Sequence, residues 1–291
     1  MINIESNTTY TSIYFKHFFF GGGEQHIQID EESLNYVEYV TITLQYAQDT
    51  EIFQLALIVD ALRRAGCKSM QLKIPYFPAA RQDRVCNIGE PLSVKVYADL
   101  INAMKFDKVI VFDPHSDVTA ALINNVEVVD NCEFVAHVFS RLNGENVATD
   151  FLKNAVLVSP DAGSNKKVAS VAKHLYKYSY KDVAVVRADK LRNVATGEII
   201  ETTVYVDDLT GKHCLIVDDI CSKGGTFCAL AKVLKAKGAE KVYLVVSHYE
   251  DTANVRTLKA SGIDRIYTTD SKAFVRRDAN MIDITPIYNF I

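Results

Sequence analysis

Two hydrophobic periods alternate along the chain. In Asp60-Ala-Leu-Arg-Arg-Ala-Gly66, Ala98-Asp-Leu-Ile-Asn-Ala-Met104 and Ala231-Lys-Val-Leu-Lys-Ala-Lys-Gly238, apolar positions recur at the spacing of an amphipathic helix. Each is followed by a short, almost unbroken apolar run: 70–74, 108–112 and 241–246. Such β-rich runs predict strands buried on both faces, as in a parallel sheet. Further runs at 155–159, 183–186 and 214–217 predict more strands, and Phe18-Phe19-Phe20, ahead of three glycines, predicts another. Helix–turn–strand units in series predict a doubly wound α/β fold with mainly parallel sheets and right-handed crossovers. Segment 188–212 is polar, with two glycines and no sustained period, and fits a hairpin or a flap.

The second and third units lie 133 residues apart, with Ala98, Lys108 and His115 matching Ala231, Lys241 and His248. Two related halves would give this match, and so would the general similarity of any two such units. With roughly 100–200 residues per domain, 291 residues make two domains or one large one. The expected division is 1–134 and 135–291, with the last ~15 residues free to pack back on the first domain.

Hydrophobic residues at 48% and charged residues at 23% exclude a disordered chain. A net charge of −4 disfavours binding to a nucleic-acid polymer, so any phosphate ligand must be met by a few local cations. The six cysteines contain no Cys-x-x-Cys pair, which argues against a zinc ribbon and fits reduced thiols in a cytoplasmic protein. No apolar run approaches the ~20 residues of a membrane span, and Met1-Ile2-Asn3-Ile4-Glu5 lacks the basic start of a signal peptide.

In open α/β sheets, ligands bind beyond the carboxyl ends of strands. The strongest such end is Leu215-Ile-Val-Asp-Asp-Ile-Cys-Ser-Lys-Gly-Gly-Thr226. A buried strand here ends in two carboxylates, and a glycine loop feeds a helix. The loop's N–H groups and the helix dipole suit a phosphate. Gly224 and Gly225 let the backbone approach it. Asp218 and Asp219 suit the vicinal hydroxyls of a ribose or a hydrated Mg2+. A glycine turn with an acidic helix cap would read the same way.

This loop resembles that of type I phosphoribosyltransferases and of the ribose-phosphate pyrophosphokinase (PRPP synthetase) family. Other segments favour the latter. Ile74-Pro-Tyr-Phe-Pro-Ala-Ala-Arg-Gln-Asp-Arg84 with Glu90-Pro91 is similar to its "PYxxxARQDR…EP", and Phe112-Asp-Pro-His115 to its "DLH". Ser159-Pro-Asp-Ala-Gly163 is similar to its "PDxG", and Asp189-Lys-Leu-Arg192 to its "DKRR". The resemblance implies two phosphoribosyltransferase-like domains. It also implies an enzyme that moves the β,γ-diphosphoryl group of ATP to the anomeric hydroxyl of ribose 5-phosphate, giving PRPP and AMP. It assigns ATP to Arg81, Gln82, Arg84, His115, Phe20 and Glu24, the last two through a neighbouring subunit, and so implies a homo-oligomer, dimer or hexamer. His115 and Asp161 fall near the metal–triphosphate, with Mg2+ as the cofactor; Mg2+ prefers oxygen, which favours Asp161 as direct ligand. Lys190 and Arg192 match the catalytic flap. Asp218, Asp219, Ser222, Lys223, Gly224, Gly225 and Thr226 match the sugar-phosphate site.

Three departures stand out. Ser222-Lys223 replaces the family's Asp-Thr, Gly22 replaces the aspartate of "FSDGE", and Gly89 replaces an arginine before Glu-Pro. Lys223 would also serve a 5′-diphosphate, so the terminal ribose of ADP-ribose, feeding NAD synthesis, is an alternative acceptor. A phosphoribosyltransferase would need the 215–226 loop but not Arg81, Gln82 or His115, and a silent regulatory relative would not need Lys190, Arg192 or Asp161.

Overall fold

The computed structural model describes all residues except 36, 146–150, 179, 181–182, 193–198, 251, 273–277 and 279, and for Arg192 and Ile199 the backbone alone. The chain forms two compact units, one built on Met1–Asp130 and one on Asn131–Asp270.

In the first unit, β1 (Ile2–Ser6) precedes a hairpin of β2 (Phe15–Phe19) and β3 (Gln25–Ile29). Then come β4 (Tyr39–Leu44), α1 (Thr50–Arg64), β5 (Ser69–Ile74), α2 (Ser93–Ala103), β6 (Lys108–Phe112), α3 (Asp117–Leu122) and β7 (Val126–Val129). The sheet order is β1-β4-β5-β6-β7, parallel except for β1. In β1, alternate residues Ile2, Ile4 and Ser6 are buried, the pattern of a half-covered edge strand. Helix α1 buries Ile52, Leu55, Ile58, Val59 and Leu62 on one stripe, each full burial contributing ~1.5–3 kcal/mol. It stops at Gly66, where φ is +92° and the following N–H of Cys67 reaches back to the Leu62 carbonyl.

The second unit opens with α4 (Cys132–Glu145) and α5 (Phe151–Asn154). Next come β8 (Ala155–Ser159), α6 (Asn165–Lys177), β9 (Ala184–Arg192), β10 (Ile199–Val204), β11 (His213–Cys221) and α7 (Gly225–Ala236). It closes with β12 (Lys241–Tyr249), α8 (Val255–Ala260), β13 (Arg265–Thr269) and β14 (Ile282–Thr285). The order is β10-β9-β8-β11-β12-β13-β14, parallel except for the β9–β10 hairpin. From β8 the chain steps one way to β9. After the hairpin it resumes at β11 on the other side of β8 and runs on to β14. This reversal between β8 and β11 is the topological switch point where α/β sheets bind ligands.

The expected strands and helices all form, and segment 188–212 supplies the β9–β10 hairpin, with 193–198 outside the described residues. Most of the C-terminal stretch clusters with the second unit, and the terminal Ile291 with the first. Residues 282–285 extend the second sheet as β14, and Phe290 packs edge-on against Phe134 of α4, 5.7 Å between rings. The division falls at Asp130/Asn131 and not at 134/135, because α4 packs on α6 and β12 of the second unit. The internal match holds for α2–β6 and α7–β12 but not for the histidines. β12 runs nine residues against five in β6, so His248 lies buried within its strand while His115 lies exposed beyond its own. Among the described residues no helix is long and apolar enough to cross a membrane.

Candidate active site

Register assembles the second unit's candidate residues. Val158 of β8 is paired with Val186 of β9 on one side and Ile216 of β11 on the other. Asp218, Asp161 and Lys190 lie two, three and four residues beyond that row, at the carboxyl edge of the switch point. Pleating divides β9: Val186 and Ala188 are buried, and Lys190, on the same face, reaches Asp161. Val185, Arg187 and Asp189 alternate with them and line a cavity of about 440 Å3 with Ala162, Asn165 and Tyr205.

The contacts form a chain. The Lys190 ammonium donates to Asp161 Oδ2. Asp161 Oδ1 accepts from the Ser164 backbone N–H at 3.1 Å and lies 3.2 Å from the Ser164 hydroxyl. The same hydroxyl is 2.9 Å from Asp218 Oδ1, which also accepts the Asp219 N–H at 3.0 Å. Lys167 Nζ of α6 lies 3.9 Å from Asp219 Oδ1. Burial pushes the Asp161 carboxyl up, but Lys190 and the two Ser164 donors outweigh it, so its pKa is lowered. Asp218 goes the other way: burial and then the charge of Asp219 raise it, against the pull of Lys167.

Beyond β11, Ser222 is half-buried and Lys223 exposed. Gly224 caps α7 with φ +81° and no side chain to bond the first-turn N–H groups. The Cys228 N–H already bonds back to the Gly224 carbonyl at 2.9 Å, so the helix starts immediately and aims its dipole at the loop. A Cβ on Gly224 would come within 2.9 Å of Leu258 Cδ2, whereas one on Gly225 would meet nothing within 4 Å.

The first unit carries its own candidates. Ala79, with φ +55°, turns the chain so that its carbonyl accepts the Gln82 N–H at 2.8 Å and Arg81, Gln82 and Arg84 are exposed together. Glu90 closes the loop after them, accepting the Cys86 and Asn87 N–H groups at 3.0 Å each and Asn87 Nδ2 at 2.7 Å. Gly89 has φ +91°, a conformation an arginine there would resist. Buried Asp113, with φ +40°, bends the end of β6 ahead of exposed His115. At the β2–β3 turn, the Phe20 N–H bonds the Glu24 carbonyl at 2.9 Å, and Phe19 and Phe20 are exposed. A Cβ on Gly22 would lie 2.5 Å from Glu24 Oε2, so the Glu24 carboxylate fills the space a side chain at 22 would take. Lys272, which folds with this unit, places its ammonium 4.0 Å from the Tyr76 ring centroid.

Among the described residues no group of three or more His, Cys, Asp and Glu side chains could hold a metal. Asp161 offers carboxylate oxygens, the donor type Mg2+ takes, and the Lys190 ammonium holds its Oδ2. An imidazole such as His115 is a poor direct ligand for Mg2+. The side chain of Arg192 lies outside the described residues. Ser164 and Lys167 escaped sequence reasoning, because a serine and a lysine at a helix start are ordinary surface residues until the register of β8 and β11 is known.

Residues 128–277 match the model of the phosphoribosyl transferase domain, and residues 2–104 match that of the N-terminal domain of ribose phosphate pyrophosphokinase. The second unit thus has the class of a phosphoribosyl transferase domain. Ribose-phosphate pyrophosphokinase of Vibrio cholerae is 31% identical over 254 residues, 87% of this chain and 76% of that protein. The Campylobacter jejuni enzyme of the same name is 31% identical over 277 residues, 92% and 83% of the two chains. A crystal structure of phosphoribosylpyrophosphate synthetase from Mycobacterium smegmatis shares the fold, with a TM-score of 0.78 over 97% of this chain and 89% of that one at 22% identity. The chain belongs to the ribose-phosphate pyrophosphokinase family.

Proposed function

We propose that the chain is an ATP-dependent ribose-phosphate pyrophosphokinase, moving the β,γ-diphosphoryl group of ATP to the anomeric hydroxyl of ribose 5-phosphate. The observation that carries this reading is the chain of contacts Lys190–Asp161–Ser164–Asp218–Asp219 beside the glycine-started α7. Asp218 and Asp219 accept the ribose hydroxyls, and the 222–226 loop with the α7 N-terminus receives the 5-phosphate. Arg81, Gln82 and Arg84 bind ATP, a guanidinium fork being matched to phosphate oxygens. Phosphoryl transfer needs positioned positive charge more than covalent help, which is the part of Lys190, with Arg192 next but one along β9. Mg2+ bound with ATP would supply neutralisation of phosphate charge, with Asp161 as the carboxylate that would hold it, and His115 keeps its proposed place with ATP. The exposed Phe19 and Phe20 with Glu24 fit a role across a subunit boundary, supporting a homo-oligomer. The relatives' descriptions favour ribose 5-phosphate over ADP-ribose as acceptor.

The test is incubation with Mg–ATP and ribose 5-phosphate, with ADP-ribose in a parallel reaction, followed by phosphorus NMR and product masses. AMP and PRPP are expected from the first. Stoichiometric ADP with a monophosphorylated sugar would make this an ordinary kinase, and turnover of ADP-ribose alone would move the acceptor.

A further inference from the structure

We propose that Ser164 is a positioning residue whose single hydroxyl proton couples the flap to the pentose site. The proposal rests on the assignment of Asp218 and Asp219 to the pentose and of Lys190 to the flap. Ser164 is buried, at 6% exposure, between two carboxylates. Its hydroxyl lies 3.2 Å from Asp161 Oδ1 and 2.9 Å from Asp218 Oδ1. A hydroxyl has one proton to donate, so once Asp218 is ionised it cannot serve both carboxylate oxygens at once. Each oxygen has a backbone donor of its own, the Ser164 N–H on Asp161 and the Asp219 N–H on Asp218, so the hydroxyl is the one donor they share among the contacts described.

The other ends of the two carboxylates set which one receives it. The Lys190 ammonium satisfies Asp161 Oδ2 and leaves the hydroxyl to Asp218, its nearer partner. Ribose hydroxyls donating to Asp218 satisfy that carboxylate instead. The Ser164 proton then turns to Asp161 and weakens its hold on Lys190. Arrival of the sugar therefore frees the flap cation for the group being transferred. Linkage makes the effect reciprocal: removing Lys190 from Asp161 draws the hydroxyl away from Asp218 and improves Asp218 as an acceptor for the sugar.

The test is calorimetric titration of ribose 5-phosphate without nucleotide or metal, where Lys190 has no phosphoryl group to act on. It is run at about pH 9, which ionises Asp218 although burial and Asp219 raise its pKa. Lys190→Ala is expected to tighten Kd by about fivefold or more, the lower end of usual coupling. In the Ser164→Ala background, the same change is expected to leave Kd within about twofold. Ser164→Thr, which keeps the hydroxyl, is expected to restore the coupling. Hydrogen exchange of β9 and β10 should quicken on adding ribose 5-phosphate to the parent and to Ser164→Thr, and not to Ser164→Ala. A Lys190→Ala effect of equal size with and without the hydroxyl would overturn the proposal, as would no effect in either background. No binding of ribose 5-phosphate by the folded parent would sink the pentose assignment itself, and the coupling with it.

Discussion

The Asp218 carboxyl sits among groups that oppose its ionisation, burial first and the Asp219 charge second. Its folded-state pKa is raised, so the folded protein holds a proton in a pH window where the unfolded chain has already released it. The stability this gives is present below the ordinary value of 3.8 and is lost as pH rises through the raised value. Above the ordinary value the Asp218 carboxyl therefore costs stability, and the proposed pentose role gives that cost a reason, since two close carboxylates suit a vicinal diol. Asp218→Asn is expected to raise stability by at least about 1 kcal/mol near pH 9 and by little near pH 4, while raising the KM for ribose 5-phosphate. Thermal melts at the two pH values, with steady-state kinetics, check it; a gain at pH 4 only would reverse the sign. Lys190 differs because, in its proposed role, it leaves Asp161 to meet a charge that grows in the transition state. Lys190→Ala is expected to lower kcat by roughly 10²–10³ with a smaller change in KM. Loss of affinity at unchanged kcat would remove it from the chemistry.

Two adjacent glycines start α7, and they act differently. Gly224 has φ +81° and a Leu258 methyl 2.9 Å from where a Cβ would be, so Gly224→Ala meets both backbone and packing strain. It is expected to cost about 1–2 kcal/mol or more, read as a shifted denaturant midpoint. Gly225 has open space around it and is the first helical residue, so Gly225→Ala is expected to leave stability within about 0.5 kcal/mol while raising the KM for ribose 5-phosphate. Equal destabilisation by the two would refute this split. The run Leu215–Thr226 showed this element in the sequence because strand, acid pair and glycine turn are contiguous. The β9–β10 hairpin was legible only as a polar stretch of uncertain form, since its pairing leaves Ile200 and Tyr205 exposed and blurs the strand pattern. Ser164 and Lys167 were illegible because their partners, Asp218 and Asp219, lie on another strand and only the β8–β11 register joins them. The strand β14 was missed as such for a related reason: Ile-Asp-Ile-Thr is too short to be told from a loop until β13 offers an edge.

Each unit has a hydrophobic core of its own. One is centred on residues such as Ile42, Leu55, Leu72 and Val111, the other on Val158, Ile216, Leu230 and Leu244. The proposed contacts to ribose 5-phosphate all come from the second unit, from the end of β11 to the start of α7. A ligand stabilises the state that binds it by RT ln(1 + [L]/Kd), about 2.7 kcal/mol at a hundredfold excess over Kd. That free energy slows exchange only of amides whose opening breaks the bound site. Ribose 5-phosphate is therefore expected to slow exchange in β8, β11 and β12 and to leave β5 and β6 nearly unchanged. Native-state hydrogen exchange resolves the two sets in one experiment. Equal slowing in both sheets would mean that the two cores open as one cooperative unit. Slowing confined to β5 and β6 would place the sugar on the Arg81–Arg84 loop and reverse the assignment of the two substrates.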